Sequence, residues 1–503
     1  MQKTTKNRLE QVFRGMIYIL PGVLFFSYQP LMHFGSSESM NFEISLPLVW
    51  LVLFDVLVLI MSWQKRGFWK GILQRWMWLL LPLWLTISVL WSLNSIRGLL
   101  TVGIVWLLYF AIYGFFELRK AFDKKGFRDN FWKVFFGSSL VICVWCWVQC
   151  ILDLVGVPRE ASLMCEGCVS GMFGFPHPDG FAIEPQFMGN LLLAPTIIAG
   201  WLMLCSRPRP AGPSPRAAGA NSRAAALRNA ASPKHHTTLS DCNFRKPIIV
   251  LLFFVLLVTL FLTFSRGAIY AFLIAMVVMI IWRITQSRKW KALLVWPVII
   301  LAFLFTLNAQ GIMAAASSTN DTYKTGVAKV LNHLSLGVID IRDNAVPVEE
   351  TEVNEGSTSD NQAGEATFSG YVAESTDTRL RLSDAAVKIW SQDFATAMFG
   401  VGLGGAGQAL YINDLSPAPK EIVQNQYASL LLEIGVIGVV LVVFSLVMVL
   451  KVFWKSPLKV VLICLLIAYG ISLLFFSGLP NALHIYLLPA LIYSIGLRKK
   501  LVS

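Results

Sequence analysis

The chain has 503 residues, of which 56% are hydrophobic and only 14% are charged, whereas about 25% of the residues in an average soluble protein are charged. Thirty-four Phe and 17 Trp are too many for a soluble surface to hide, so a soluble globular protein is excluded and a polytopic membrane protein is predicted. The net charge of +13 does not indicate nucleic-acid binding, because Lys and Arg collect in the cytoplasmic loops of membrane proteins.

Twelve apolar segments approach the ~20 residues that cross a bilayer. They lie at about 17–34, 46–63, 76–91, 99–116, 131–155, 187–205, 247–264, 268–282, 292–307, 427–450, 460–476 and 485–497. The predicted fold class is an all-α polytopic membrane protein with about 12 transmembrane helices. A large helical extracytoplasmic loop is predicted between the ninth and the tenth. Two amphipathic helices are expected in it, because apolar residues recur at helical spacing in two places: Val327, Val330, Leu331 and Leu334, and Leu382, Ala386 and Ile389.

Composition divides the chain into five regions. Residues 206–246 carry eight Lys or Arg and one acid, a composition that cannot bury a core and predicts a disordered basic cytoplasmic linker. The regions are an N-terminal membrane half with six spans (1–205), the linker (206–246), spans seven to nine (247–307), the extracytoplasmic loop domain (308–426) and spans ten to twelve (427–503).

Loop charge predicts the orientation of these spans. When the N-terminus is placed in the cytoplasm, every strongly basic loop falls on the cytoplasmic side, as the positive-inside rule requires. Residues 308–423 carry a net charge of −8 and the remaining chain +21. Both termini are therefore predicted to be cytoplasmic, and the large loop is predicted to lie outside.

Three arginines on the outer side are candidate ligands for a diphosphate. Arg266 lies in Ser265-Arg266-Gly267 between two apolar runs, where a charge is costly and indicates a functional site; a side chain reaching outer-leaflet phosphates is the structural alternative. Arg379 and Arg381 precede an amphipathic segment, and residues two apart on a helix face different ways, so only one of them is expected to join Arg266. Their guanidinium groups suit phosphate.

Gln424 and Asn425 mark the point where the polar loop meets the tenth span. Asn425 also suits the N-cap of that helix. Gly435 and Gly438 follow, and we interpret them as sites of close helix packing. Gly400 and Gly402, in the run Gly400-Val401-Gly402-Leu403-Gly404-Gly405, either bring the backbone close to a ligand or form a tight loop between helices.

The loop before the sixth span is the other outer concentration of polar groups. His177, Asp179 and Glu184 are candidate acids, bases or acceptor-binding groups, and a turn built by Pro and Gly is the alternative. Cys165 and Cys168 face an oxidising side, where a small-loop disulfide is favoured over a metal site. The isolated histidines are interpreted as structural: His33, His333 and His484.

Taken in order, these motifs resemble the superfamily of O-antigen ligases and Wzy-type O-antigen polymerases, bacterial membrane enzymes of surface glycans. The resemblance rests on Ser265-Arg266-Gly267, on the arginine-led helix running into Phe399-Gly400-Val401-Gly402, on Gln424-Asn425 followed after nine residues by Gly-x-x-Gly, and on the twelve-span topology. It implies a metal-independent glycosyltransferase without a cofactor that uses a polyprenyl-diphosphate-linked glycan. Membrane lipids and further glycan-assembly proteins are the other expected partners.

The resemblance also assigns roles and exposes one departure. It implies that Arg266 with Arg379 or Arg381 holds the diphosphate, and that Gln424 occupies a position at which the ligases typically have His. A neutral amide is no useful base, which leaves three accounts: Gln424 only positions the acceptor, another group such as Glu184, His177 or Glu421 takes the proton, or the protein is inactive. A transporter or flippase of lipid-linked glycan is the other alternative, although no halved repeat is evident.

Overall fold

The computed structural model describes residues 3–34, 42–63, 71, 74–123, 126–165, 168–169, 176–205, 246–287, 290–317, 322–335, 368–416, 418–419, 422–478 and 481–496. The predicted linker, apart from its last residue, and Glu421 lie outside these residues. The fold is helical, with one two-stranded hairpin in the described part of the chain. It is the fold of a polytopic membrane protein, because several of its helices are long and apolar enough to span a bilayer.

The helices of the first half are numbered in chain order. They are α1 (Lys3–Leu24), α2 (Leu46–Ser62), α3 (Leu80–Ser88), α4 (Ser95–Glu117), α5 (Phe127–Leu154), α6 (Arg159–Ser162) and α7 (Pro185–Cys205), with 3-10 turns at Trp76–Leu79, Val89–Trp91 and Arg119–Asp123.

The second half continues the numbering. Its helices are α8 (Lys246–Leu262), α9 (Arg266–Ser287), α10 (Val295–Ser317), α11 (Tyr323–Leu334), α12 (Phe368–Trp390), α13 (Phe394–Phe399), α14 (Ala406–Ile412), α15 (Gln426–Trp454), α16 (Lys459–Ser472) and α17 (Leu483–Gly496), with a 3-10 turn at Trp290–Leu294.

Six helices of the described chain are long and apolar enough to cross a membrane, and several shorter apolar helices accompany them. The six include α4, α5, α7 and α15, and the shorter ones include α2 and α17. Most of α15 is surrounded by little protein: only 11% of its most apolar window is buried. An apolar helix that exposes its sides in this way is suited to contact with lipid.

The first predicted span is wrong in its position. We expected a helix over 17–34, but α1 begins at Lys3 and ends at Leu24. The chain then forms strand β1 (Pro30–Phe34), which pairs antiparallel with strand β2 (Phe42–Ser45). Pro30 explains the change, because proline has no backbone N–H and restricts the preceding residue to extended conformations.

The region between α10 and α15 packs on the apolar helices through two contacts. Leu382, Ala386 and Ile389 on one face of α12 pack with Leu410 and Leu432. The spacing of the α12 residues is the helical spacing seen in the sequence.

The second contact is made by α11. Its Val330 packs against Phe264 at the turn between α8 and α9 and against Ala314 of α10. Together, α11 and α12 bring the polar groups of this region to the ends of α7, α9 and α15.

Helix α15 is broken at Gly435, and the break receives the loop that follows α13. Gly435 has φ 61° and ψ −173°, a conformation that only glycine adopts readily. The carbonyl of Leu432 accepts a hydrogen bond from the amide of Val401 (2.9 Å), and that of Glu433 from the amide of Gly402 (3.0 Å). The Trp84 indole donates to the Ile434 carbonyl (3.3 Å). Carbonyls released by the break are therefore satisfied from outside the helix.

The break at Gly435 leads to a prediction about the stability of a substituted protein. A Cβ at this position would collide with the backbone carbonyl of Met398, and alanine is strained at this φ and ψ. We expect Gly435→Ala to cost about 1–3 kcal/mol, measured as a lower melting temperature of the purified protein. Gly103→Ala is the matched control, because a Cβ on that exposed α4 residue has open space. Equal melting temperatures for both variants would contradict this role of Gly435.

Candidate active site

Arg379 is the centre of the polar groups that the fold brings together. Its Nε donates to Oε1 of Gln424 at 2.7 Å, and its Nη2 donates to Oε1 of Gln186 at 3.0 Å. The three side chains come from α12, from the segment before α15 and from the first turn of α7. A guanidinium held at two edges by neutral amides keeps its full positive charge. Arg379 is therefore a fixed cation, partly open to solvent.

Arg381 does not join Gln424. Both arginines lie in α12, but the Arg381 side chain is exposed, as is that of Leu380 at 65%. Residues two apart on a helix point to different sides. The structure thus selects Arg379 from the two arginines left open by the sequence.

A tight turn between α8 and α9 presents Arg266. Phe264 has φ 48°. The amide of Ala268 donates to the Ser265 hydroxyl at 3.4 Å, so Ser265 is the N-cap of α9. The same hydroxyl donates to the Gln186 carbonyl at 3.4 Å. Because Gln186 also accepts from Arg379, one residue links the Arg266 turn to the α12 arginine.

His333 of α11 is affected by the positive charges of both arginines. Its Nε2 lies 3.3 Å from the carbonyl oxygen of Phe264; a carbonyl only accepts, so Nε2 carries the proton in this contact. Burial lowers the pKa of His333 to about 4, with further lowering by the positive charges of Arg266 and Arg379. The positive charges of Arg266 and Arg379 thus both act on one imidazole. We name Arg266, Arg379, Gln186, Gln424 and His333 the arginine site.

His333 and Gln186 are the members of the arginine site that sequence reasoning missed. The isolation of His333 in the sequence suggested a structural residue. The available signal was the amphipathic pattern of α11, which predicted that helix and put His333 on it without revealing its neighbours. Gln186, the last residue of the polar loop before the sixth span, was not predicted to contact an arginine.

The lowered pKa of His333 leads to a prediction about how the stability of the protein depends on pH. In an unfolded chain histidine has a pKa of about 6.5, so the unfolded protein binds more protons than the folded one between about pH 4 and 6.5. Stability should therefore be full above pH 6.5 and fall as the pH drops towards 4, by roughly 3 kcal/mol at most. We expect His333→Gln, which keeps a donor for Phe264, to flatten this dependence in thermal unfolding. A variant with the wild-type pH profile would contradict it.

His177 belongs to the loop behind the arginine site. It is buried, its ring centroid lies 5.2 Å from that of Phe264 and 5.9 Å from that of His333, and its backbone amide donates to the Cys168 carbonyl at 2.9 Å. The carbonyl of Pro176 accepts from Gln310 of α10 at 3.1 Å. His177 thus borders the arginine site through His333.

A disulfide and a buried carboxyl hold this loop. Cys165 and Cys168 are bridged, as expected. Asp179 accepts from the Cys165 amide and from the Gln149 side chain, both at 2.9 Å, and burial raises its pKa to about 6. Ligand atoms of these two cysteines and Asp179 lie within 4.8 Å of one another, but the sulfurs would have to be reduced before they could bind a metal as thiolates.

Glu184 is a carboxyl of this loop that solvent reaches and that the charge of Arg379 affects. It follows Ile183, which has φ 65°, and it immediately precedes α7. Its side chain is exposed at the surface but walled by protein on other sides. The partial loss of water raises the pKa of Glu184, while the positive charge of Arg379 offsets part of the rise. A carboxyl that interacts with Arg379 is available at the edge of the arginine site.

Asn425 caps α15. Its Oδ1 accepts from the amides of Tyr427 and Ala428, at 3.0 and 3.3 Å. Gly400 (φ 75°) and Gly402 (φ 87°) have backbone neighbours: a Cβ would meet Glu433 at the first and Ser92 at the second. Their conformations are explained by docking on the α15 break, so the tight-loop alternative fits this glycine run.

A comparison with known protein families matches part of the chain. The model of the Wzy_C family, described as O-antigen ligase, matches residues 251–443. This segment is similar to the O-antigen ligase domain, and it carries Arg266, Arg379 and Gln424. The recognition made from the motifs is thus confirmed over this part of the chain. The similarity indicates a lipid-linked glycan ligase-like or polymerase-like function. No curated protein matches the chain significantly.

The matched segment contains four of the five residues of the arginine site, namely Arg266, His333, Arg379 and Gln424. Gln186, His177 and Glu184 lie outside the matched range and belong to the N-terminal half. The site is therefore assembled from the matched segment and from the loop that leads into α7.

Proposed function

We propose that the protein is a metal-independent glycosyltransferase that transfers or polymerises polyprenyl-diphosphate-linked glycan. The reaction takes place on the outer face of a bacterial cytoplasmic membrane, with both termini of the chain in the cytoplasm. The single observation that carries the proposal is the fixed Arg379, held by Gln424 and Gln186 and joined through Gln186 to the turn that presents Arg266. Such a pair of cations suits a diphosphate at the membrane surface.

Arg266 and Arg379 bind the donor through its diphosphate. During transfer, the acceptor oxygen forms a bond to the anomeric carbon while the bond between that carbon and the diphosphate oxygen breaks. The diphosphate leaves with the electron pair and gains negative charge. Preorganised cations at this position stabilise the transition state more than the ground state. His333 stays neutral between them, so it adds no third positive charge.

Glu184 takes the proton of the acceptor hydroxyl. It is the carboxyl that solvent reaches and that interacts with Arg379, and its raised pKa makes it a better base than an ordinary carboxylate. Gln424 has no role as a base, because its carbonyl oxygen is engaged by Arg379. Its role is to fix the guanidinium and to orient the acceptor. His177 supports the site from behind through His333.

The acceptor distinguishes two versions of this function. A second lipid-linked chain makes the protein a polymerase, and a different outer-face molecule makes it a ligase. Both versions use the same donor site and the same base, so the proposal covers both.

The proposal is tested with purified protein and a synthetic polyprenyl-diphosphate-linked glycan. We expect Arg266→Ala to lower turnover by about 10²–10³-fold, the usual loss for one donor to the developing charge. Arg381→Ala, which changes an exposed arginine, is the control and should keep activity within about twofold. Products are measured by mass spectrometry.

The same assay separates the alternatives. Wild-type protein that moves the glycolipid across vesicles without lengthening or transferring the glycan would identify a flippase. Protein that does neither would identify an inactive family member. Full activity of Arg266→Ala would contradict the donor site.

A further inference from the structure

A cavity of about 410 Å³ lies between α4, the inner end of α15, α16 and α17. Its wall is apolar and aromatic and includes Trp78, Tyr109, Phe116, Leu466, Pro489 and Tyr493. The helices come from both the first and the last quarter of the chain. The cavity has a size typical of small-molecule sites, and nothing in the glycan chemistry proposed above uses it.

The cavity lies at the membrane face opposite the arginine site. The first turn of α4 meets the loop after α13, because the Gly98 backbone packs against the Leu403 carbonyl. The cavity is bounded by Tyr109, Tyr113 and Phe116 near the other end of this 23-residue helix. At 1.5 Å per residue the two ends of α4 are about 34 Å apart, roughly the thickness of a bilayer. Loop charge predicts that this second face is cytoplasmic.

Two arginines stand at this end of the cavity. The Arg75 guanidinium lies 5.4 Å from the centroid of the Tyr113 ring and 3.7 Å from Glu117, in a pair that is partly exposed. Such a pair is weak in water. Arg119 also lines the cavity, and within the described part of the chain no carboxylate forms an ion pair with it. The described lining of the cavity therefore contains two arginines and no carboxyl group, above an apolar interior.

The apolar wall and the two arginines together suit one kind of ligand, a lipid with a charged headgroup. The apolar wall suits an acyl chain, and aromatic side chains and arginines at the membrane surface suit the glycerol and phosphate of a headgroup. A zwitterionic headgroup would leave the positive charge uncompensated. The isoprenoid tail of the glycan donor has its diphosphate at the other face, where it gains nothing from Arg75 or Arg119.

We propose that this cavity is a binding site for one anionic phospholipid, with an acyl chain among the helices and its phosphate at Arg75 and Arg119. The lipid joins α4 of the N-terminal half to α15, α16 and α17, so it stabilises the contact between the two parts of the chain. The proposal is independent of the reaction at the arginine site.

The test uses the full chain, purified in mild detergent and supplied with phosphatidylglycerol or phosphatidylcholine. Native mass spectrometry counts the retained lipids. We expect one retained phosphatidylglycerol and no comparable retention of phosphatidylcholine. The double variant Arg75→Ala with Arg119→Ala should bind about 30-fold more weakly, since each basic residue at the surface contributes roughly 1 kcal/mol.

Two further variants keep the test decisive. Ala490→Trp fills the cavity without changing charge and should also displace phosphatidylglycerol. Arg8→Ala with Lys133→Ala removes two exposed charges that do not line the cavity, and it should retain the lipid. Equal retention in all variants, or equal binding of both lipids, would overturn the proposal. Displacement by polyprenyl phosphate with no effect of the arginine substitutions would overturn it too, in favour of an isoprenoid tail.

Discussion

Arg379→Ala is expected to lower turnover of the lipid-linked glycan by about 10²–10³-fold. In the proposed reaction the substitution removes the cation at the leaving diphosphate. It also releases Gln424 and Gln186, which the guanidinium joins at 2.7 and 3.0 Å. Both the charge and the order of the site are lost, so kcat should fall together with kcat/KM. The measurement is steady-state turnover of purified protein, with the melting temperature as a check of folding.

Two neighbouring variants give this prediction its controls. Arg379→Lys keeps the charge, but a single ammonium group lacks the planar fork that reaches two amides at once, so we expect most of the loss to remain. Arg381→Ala lies two residues away on the same helix and exposes its side chain, so it should stay close to wild type. If Arg379→Ala and Arg381→Ala had equal activity, the choice of Arg379 would be wrong.

Glu184→Gln is expected to lower kcat by about 10²–10⁴-fold while leaving donor affinity nearly intact. The amide keeps the size of the side chain but cannot accept the proton of the acceptor hydroxyl. The wild-type protein should also lose activity as the pH falls through the raised pKa of Glu184, because the carboxylate is then protonated. This acid limb should be absent from the residual activity of the variant.

The matched control for Glu184→Gln is Glu160→Gln. Glu160 lies in the same loop between α5 and α7, is 75% exposed and pairs with Arg159 at 3.2 Å, a surface ion pair of little energetic value. We expect its activity and pH profile to match the wild type. Wild-type kcat in Glu184→Gln would assign the proton to another group, of which His177 is the next candidate.

The sequence predicted the elements of the arginine site whose signals are local. Arg266 stood out because a charge between two apolar runs is costly, and α12 was predicted from Leu382, Ala386 and Ile389 at helical spacing. The rule that residues two apart face different ways correctly predicted that one of Arg379 and Arg381 would stand apart. It could not choose between them, because the choice depends on where α12 packs.

What the sequence could not predict depends on contacts between distant segments. Gln186 and Gln424 are far apart in the chain, and both lie against Arg379 only because α7, α12 and α15 converge. His333 reaches the arginines through packing of α11 on the Phe264 turn. Gly435 has the sequence of a helix-packing residue, yet it breaks α15 to receive the loop that follows α13. In each case the residue lies in a recognisable local pattern, but the distant residue that it contacts cannot be predicted from that pattern.

The most direct test of the account is an experimental structure of the protein with a bound polyprenyl-diphosphate-linked glycan. We expect the diphosphate oxygens to lie within about 3 Å of the guanidinium nitrogens of Arg266 and Arg379. The carboxyl group of Glu184 should lie beside the anomeric carbon. A diphosphate bound away from both arginines, or held by Arg381 instead, would contradict it.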